Sequence, residues 1–387
     1  MRNTTETTRA RRPAVPWPDP DKNHNVPKPR PDAPKKRDMY KGLRVAVVVP
    51  AYNESLLIGK TITTMPDFVD HVIVIDDLST DDTAQKALAV GDARLTLIRH
   101  LVNTGVGGAI VDGHRRALEL DADVSVVMAG DAQMDPGYLP DLLDPIADEG
   151  VEFTKANRFY SRSSYAGMPK YRFLGSVVLS FMTKLASGYW HLFDPQNGYT
   201  AIARTALERV DLGKISLGYQ FENDMLIHLN IADVWARDVS VPAVYGDEVS
   251  TMRMSRVVPA ISSLLFRGFW RRIMLKYVLF SFSPVALFLF TGLALAAFGG
   301  GFGLWAFTEA MQGRVPTAAT VMAAAAPLLT GIHFLVNALM LDIQESPDWN
   351  PRRRPRGHNA TRASFGRHEP LPGAPTDDAR GLVPQRR

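Results

Sequence analysis

The chain has 387 residues, 46% of them hydrophobic, with no cysteine and a formal net charge of +4. That length allows roughly two ordinary domains, and the missing cysteines exclude disulfides, thiolate metal sites and a cysteine nucleophile, leaving oxygen or imidazole for any metal. A pI near 9.2 would ordinarily point to nucleic acid. However, the first 44 residues hold about 12 Lys/Arg against 5 acids and residues 346–387 about 9 against 4, while Val45 to Ser250 is acidic, with about 28 Asp/Glu against 16 Lys/Arg, a composition suited to binding cations or using carboxylates and not to gripping nucleic acid.

Residues 1–42 and 346–387, crowded with Pro and charge, are expected to be disordered basic tails, since they bury too little apolar surface to offset ordering. No apolar stretch of signal-peptide type lies near Met1, so the N-terminus is expected in the cytoplasm. The β-branched run Val45–Val49 reads as a strand buried on both faces, followed by Pro50-Ala51-Tyr52-Asn53-Glu54 and a helix to about Met65. A strand at His71–Asp76, a helix over Thr80–Val90, a strand at Leu95–Arg99, a helix over Gly107–Leu120 and a strand at Val124–Met128 follow. This alternation predicts an α/β domain over 43–252, with a mostly parallel sheet covered by helices.

Residues 253–276 mix Val258, Ile261, Leu264, Leu265, Phe269 and Ile273 with basic residues and Trp270. They predict an amphipathic helix, either in the headgroup region of a membrane or on the surface of the domain. Within 277–345, two uncharged apolar runs, Val278–Phe298 and Ala318–Leu341, are each long enough to cross a hydrocarbon core of roughly 30 Å. A loop is expected around Glu309–Pro316. Lys/Arg residues precede the first run and follow the second, so the positive-inside rule places the α/β domain and both termini in the cytoplasm.

Three segments at strand ends carry the chemistry. Ile75-Asp76-Asp77-Leu78-Ser79-Thr80-Asp81-Asp82-Thr83 sits where open α/β sheets bind nucleosides, although Ser79 or Thr80 also reads as a plain helix cap. Asn103-Thr104-Gly105-Val106-Gly107-Gly108-Ala109 reads as phosphate-facing backbone at a helix start or as a tight turn. Asp131 and Gln133 lie two apart, on one side of an extended segment, and can share a hard cation.

The combination Pro50-Ala51-Tyr52-Asn53-Glu54, Asp76-Asp77-x-Ser79-x-Asp81-x-Thr83, Gly105-x-Gly107-x-Ala109 and Asp131-x-Gln133-x-x-Pro136 resembles family 2 glycosyltransferases of the GT-A fold. More closely, it resembles the dolichol-phosphate and polyprenyl-phosphate sugar synthases with a two-helix membrane anchor. The resemblance implies that Pro50, Ala51, Tyr52, Glu54, Ile75, Asp77, Gly107, Ala129, Gly130 and Asp131 line the nucleotide-sugar site. It implies that Asp131 and Gln133 hold Mg²⁺ or Mn²⁺, and that Arg158, Arg172, Ser250 and Arg253 face phosphate. Catalysis is then expected of Asp131, Arg158 and Asp194, with Asp194 either a base or an orienting group. Asp194–Tyr199 and Phe221–Asp224 fit an acceptor side, and Glu222 and Asp224 also read as helix N-terminal acids. Two departures from the pattern stand out: Ala129 replaces the usual first Asp of Asp-x-Asp, and only Ser250 and Arg253 represent the phosphate lid.

The resemblance implies inverting transfer of a sugar from a UDP or GDP sugar to polyprenyl phosphate at a membrane, with no nucleic-acid partner and with a homo-oligomer left open. The rival readings are a family 2 enzyme acting on another lipid or glycan acceptor and an inactive GT-A membrane scaffold. A processive synthase is disfavoured, because no Gln-x-x-Arg-Trp occurs.

Overall fold

A computed structural model describes residues 39–158, 170–242, 254–279 and 281–347. Its sheet is built on β1 (Val45–Ala51), whose Val45 to Val49 are wholly buried. The branched side chains fit a strand flanked on both sides by other strands and covered on both faces. Seven strands run in the order β3-β2-β1-β4-β6-β5-β7, with β2 at His71–Asp76, β3 at Leu95–Arg99, β4 at Val124–Val127, β5 at Phe153–Asn157, β6 at Thr200–Ala203 and β7 at Ala236–Ser240. Strands β1 to β4 pair in parallel, β5 pairs in parallel with β7, and β6 runs antiparallel between β4 and β5.

This topology decides where the chemistry collects. Because β6 alone is reversed, β1, β2, β4, β5 and β7 all end at one edge of the sheet, and β6 begins there. The motifs after β1, β2, β4 and β5, together with the segment feeding β6, therefore share one rim, as expected of ligand sites in open α/β sheets.

Helices cover both faces. On one, α1 (Ile58–Thr63), α2 (Thr83–Ala89) and α4 (Leu139–Asp144) bury Ile58, Ile62, Ala87, Leu139, Leu142 and Leu143 against Val45, Val47, Val49, Val72 and Val74. On the other lie α3 (Val106–Glu119) and α7 (Phe221–Ile231), which place Ala109, Ala117, Ile110, Met225 and Leu229 beneath the sheet. The remaining helices are α5 (Lys170–Ser187), α6 (Arg204–Arg209), α8 (Met254–Arg272), α9 (Pro284–Met311) and α10 (Ala318–Gln344).

The helix after β2 starts three residues later than the sequence predicts. The N–H groups of Asn53, Glu54 and Ser55 donate to Ser79 Oγ, Thr83 Oγ1 and Asp81 Oδ2 at 3.0, 2.8 and 3.2 Å. Ser79, Thr83 and Asp81 thus brace the neighbouring loop; α1 begins at Ile58, and α2 at Thr83, whose N–H donates to Asp81 Oδ1 at 3.0 Å. Burial opposes ionisation of Asp81, but the hydrogen bonds from Thr83 and Ser55 outweigh it and bring its carboxyl down to about 2.

The amphipathic helix forms as α8, and part of its apolar side rests on the catalytic domain: Ile261 and Leu265 pack with Ala186 of α5 and Ile227 of α7. Phe266 points outward, and Trp270 stacks on Phe290 of α9 with ring centroids 6.2 Å apart. Residues Ile273–Leu279 continue α8 as a wider turn. The first apolar helix begins at Pro284, six residues beyond the expected start, because Ser283 Oγ caps it by accepting from the Val285 N–H and proline suits the first helical position. It runs on to Met311, through Gly299–Gly301, and ends shortly before Gly313 at φ +84°. α9 and α10 are long and apolar enough to cross a membrane. They pack closely at small residues: a Cβ on Gly331 would stand 2.5 Å from the Ala296 nitrogen, and one on Gly299 2.4 Å from the Leu328 nitrogen.

Candidate active site

The register of β1 on β2 pairs Pro50 with Ile75 and Ala51 with Asp76, while the N–H of Gly130 donates to the Pro50 carbonyl at 3.2 Å. Three of the sequence-predicted segments are thereby side by side. Tyr52 stands half-exposed at the rim, Ala51 and Ile75 are buried, and Ile75 offers the rim only its backbone. The Ala129–Gly130 turn is fixed without the missing carboxylate: Ala129 N–H points at Met134 Sδ, and Thr61 Oγ1 donates to the Gly130 carbonyl at 3.1 Å.

Asp77 is buried and heavily engaged. Its Oδ1 accepts from the Thr104 N–H, the Thr104 hydroxyl and His100 Nδ1, and its Oδ2 from the Gly105 N–H at 2.8 Å. This ties the glycine-containing loop to the end of β2. Gly105 has φ +85°, and a Cβ there would sit 2.8 Å from the Leu217 carbonyl oxygen; at Gly107 it would sit 2.7 Å from that of Ser216. The Gly108 N–H also donates to the Leu217 carbonyl at 3.2 Å. The glycines thus admit the 216–218 segment against the start of α3.

A second constellation lies at the ends of β5 and β7. Arg158 Nε and Nη2 donate to Asp194 Oδ2 and Oδ1 at 2.8 and 3.2 Å. The carboxylate side chain is 1% exposed and the guanidinium 38%, so the acid is the buried anchor and the cation faces outward. The loop carrying Asp194 is held against its surroundings: Gln196 Nε2 donates to Asn223 Oδ1 at 3.0 Å, and Tyr199 Oη to the Asp135 carbonyl at 3.1 Å. The Tyr199 bond joins this loop to the one bearing Asp131 and Gln133. Of the other expected phosphate ligands, Arg172 belongs to α5 but its side chain lies outside the described residues, as do Ser250 and Arg253 altogether.

Residues 46–211 match the glycosyl transferase family 2 model. The undecaprenyl-phosphate mannosyltransferase of Micrococcus luteus is 30% identical over 219 residues, which are 55% of this chain and 88% of that one. The chain belongs to glycosyl transferase family 2. It is 28% identical over 247 residues to the UDP-N-acetylglucosamine–dolichyl-phosphate N-acetylglucosaminyltransferase of Methanococcus voltae, covering 60% of this chain and 96% of that one. Among solved structures, glucosyl-3-phosphoglycerate synthase of Mycobacterium tuberculosis with Mn²⁺, UDP and product aligns at 24% identity and a TM-score of 0.46, covering 60% of this chain and 80% of that one. The protein is a glycosyltransferase with a mixed seven-stranded sheet covered by helices.

This family 2 glycosyltransferase carries two groups that sequence reasoning missed. Lys155 on β5 is 1% exposed, and its Nζ donates to the Asn197 carbonyl from beneath the Asp194 loop. Burial pushes its pKa down, and the carboxylates of Asp194, Glu222 and Asp238 push it back up. Asp238 on β7 accepts from the Phe193 N–H at 2.7 Å and from Asn157, and burial raises its carboxyl to about 6. A lysine inside the strand run Phe153-Thr154-Lys155-Ala156 was the available signal. Glu222 and Asp224 do occupy the first turn of α7. Asp224, however, accepts from the Ser216 N–H and from Arg271 of α8 at 2.8 and 2.6 Å, so it braces α8.

Asp131 suits a cation. Burial raises its carboxyl, opposed only by backbone hydrogen bonds including that of the Gln133 N–H at 3.0 Å. No cluster of three or more acidic or imidazole groups able to hold an ion occurs among the described residues. Asp131 and the Gln133 amide would thus supply only part of an oxygen shell, the rest coming from a bound diphosphate.

Proposed function

We propose that the protein transfers one sugar, with inversion, from a nucleotide diphosphate sugar to polyprenyl phosphate at the cytoplasmic face of a membrane. The observation that carries this reading is the meeting, on one sheet rim, of the Asp131–Gln133 loop and the Arg158–Asp194 pair, joined by the Tyr199 bond. The names of the two polyprenyl-phosphate relatives support the acceptor. The two apolar helices and their flanking Lys/Arg excess support the membrane and the orientation. Tyr52, Glu54, Asp77 and the Ala129–Asp131 turn are assigned to the nucleotide sugar, and UDP is the favoured carrier.

The acceptor needs little activation, because a phosphomonoester with a second pKa of roughly 6 is mostly dianionic at neutral pH. Its oxygen attacks the anomeric carbon, forming a C–O–P bond as the bond to the nucleotide diphosphate breaks on the opposite face; no proton has to be removed from the nucleophile. Mg²⁺ or Mn²⁺ held by Asp131 and Gln133 would neutralise charge on the departing diphosphate. The Arg158 fork, set by Asp194, is assigned to phosphate oxygens. Asp194 is assigned to orient that fork.

The test is transfer of labelled sugar into an organic-extractable product by membranes containing the full chain, with a panel of UDP and GDP sugars. Asp131→Ala is expected to abolish transfer and the stabilisation of the protein by UDP plus Mn²⁺. Equal behaviour of wild type and variant in both measurements overturns the reading.

A further inference from the structure

Four donors converge on Asp342, in the last turn of α10. Arg272 Nη1 and Nη2 reach its two oxygens at 2.6 and 3.1 Å, Tyr277 Oη at 2.7 Å and Trp190 Nε1 at 3.0 Å. Arg272, fully buried, also donates to the carbonyls of Ala186 and Leu185, which close α5. A single carboxylate on the second apolar helix thus holds the end of α8, the end of α5 and the segment that leaves α5. A polar residue that merely ended a membrane span would need none of this, and a buried ion pair is costly to desolvate unless its geometry is well satisfied.

The segment held by Trp190 leads to the reaction centre. Lys184 Nζ donates to the Trp190 carbonyl at 2.8 Å, Tyr189 Oη to the Val234 carbonyl at 2.6 Å, and the Phe193 N–H to Asp238 at 2.7 Å. The next residue is Asp194, which grips Arg158. Each link is short and fastened at both ends, so a shift at Trp190 has little slack to absorb it before Asp194.

We propose that Asp342 is a positioning residue: through Trp190 it sets the 188–194 segment, and the Arg158–Asp194 pair is placed for transfer only while the second apolar helix is seated on the catalytic domain. This rests on the transfer reaction proposed above. It makes α10 a working part of the site in addition to a tether.

The test uses the full chain in lipid nanodiscs. Trp190→Phe removes one donor while keeping a ring beside Phe181, whose centroid lies 6.3 Å away, and leaves Arg272, Tyr277 and Asp342 joined. Asp342→Asn is the second variant. Hydrogen exchange reads the coupling without reference to activity. Amides of 191–198 are expected to exchange about fivefold faster in Trp190→Phe, the loss of one ordinary hydrogen bond, with β1 and β4 unchanged. In transfer assays kcat is expected to fall about fivefold or more with the KM for donor unaltered, a split that general destabilisation would not give. Unchanged exchange over 191–198 in both variants overturns the proposal, as does full turnover by both variants where wild type transfers sugar. An inactive wild type refutes the transfer reading instead, and the exchange difference still decides whether the helix holds the segment.

Discussion

Asp194→Asn separates the two roles open to this carboxylate. In the structure both oxygens are committed to Arg158, at 2.8 and 3.2 Å, and the Arg158 N–H adds a third contact at 3.3 Å. An amide keeps one acceptor and turns an NH₂ group toward the other donor. A hydrogen bond to a charged group is worth about 1.5–3 kcal/mol, and the guanidinium, 38% exposed, regains water, so the lower end applies. About 1.5 kcal/mol corresponds to roughly a tenfold loss of rate, whereas removing a general base costs about 10²–10⁴-fold. Initial rates of labelled transfer across a pH series therefore decide between them. The expected result is a tenfold to thirtyfold loss with the pH profile unchanged in shape. Because the two side chains act as one unit, Asp194→Asn/Arg158→Gln should be no slower than Arg158→Gln alone. A loss beyond about 10³-fold with the acidic limb of the profile abolished, and with multiplicative effects in the double variant, would refute the orienting role.

Asp238→Asn is expected to stabilise the protein at neutral pH. Its carboxyl lies at about 6 when folded, against an ordinary 3.8. The folded state therefore holds the proton over that window, and stability from this group is full below the lower value and lost as pH rises through the upper one. The asparagine should gain about 1–3 kcal/mol at pH 7.5 and little at pH 4, measured by denaturant titration in detergent; an equal gain at both pH values would contradict the assignment. In the spans, Gly331→Val should lower the melting temperature by forcing backbones apart where a Cβ already meets the Ala296 nitrogen at 2.5 Å. Gly301→Ala, with nothing within 4 Å, should leave it unchanged, and equal effects would show that the helices do not pack this way. Lys155→Met should remove the hold on Asn197 and reduce turnover more than donor binding, since its contact is with the Asp194 loop; unaltered kcat would exclude that role.

The strands from β1 to β4 and the two apolar helices were legible in the sequence because their signals are local. Val45–Val49 is buried on both faces whatever its neighbours are, and an uncharged run of span length carries its own message. The division of the +4 charge into basic ends and an acidic middle was equally local. The order of the motifs also identified the family, since each follows its own strand. The helix start expected at residue 80 falls at Thr83 instead, and the side chains Ser79, Asp81 and Thr83 there also serve another segment, 26 to 29 residues away.

Partnership across long separations was decided by the tertiary structure alone. No property of Lys155 announces Asn197, and Asp342 lies 70 residues from Arg272 and 152 from Trp190. Apolar periodicity states which face of an element is buried but not against what, and the energy of a buried charge depends on partners that only chain topology supplies. The sequence by itself therefore determined the elements from β1 to β4, the family and the apolar helices. Only the fold determined that Asp77 is engaged by Thr104 and Gly105, that Asp194 holds Arg158, and that the second apolar helix reaches the segment between them.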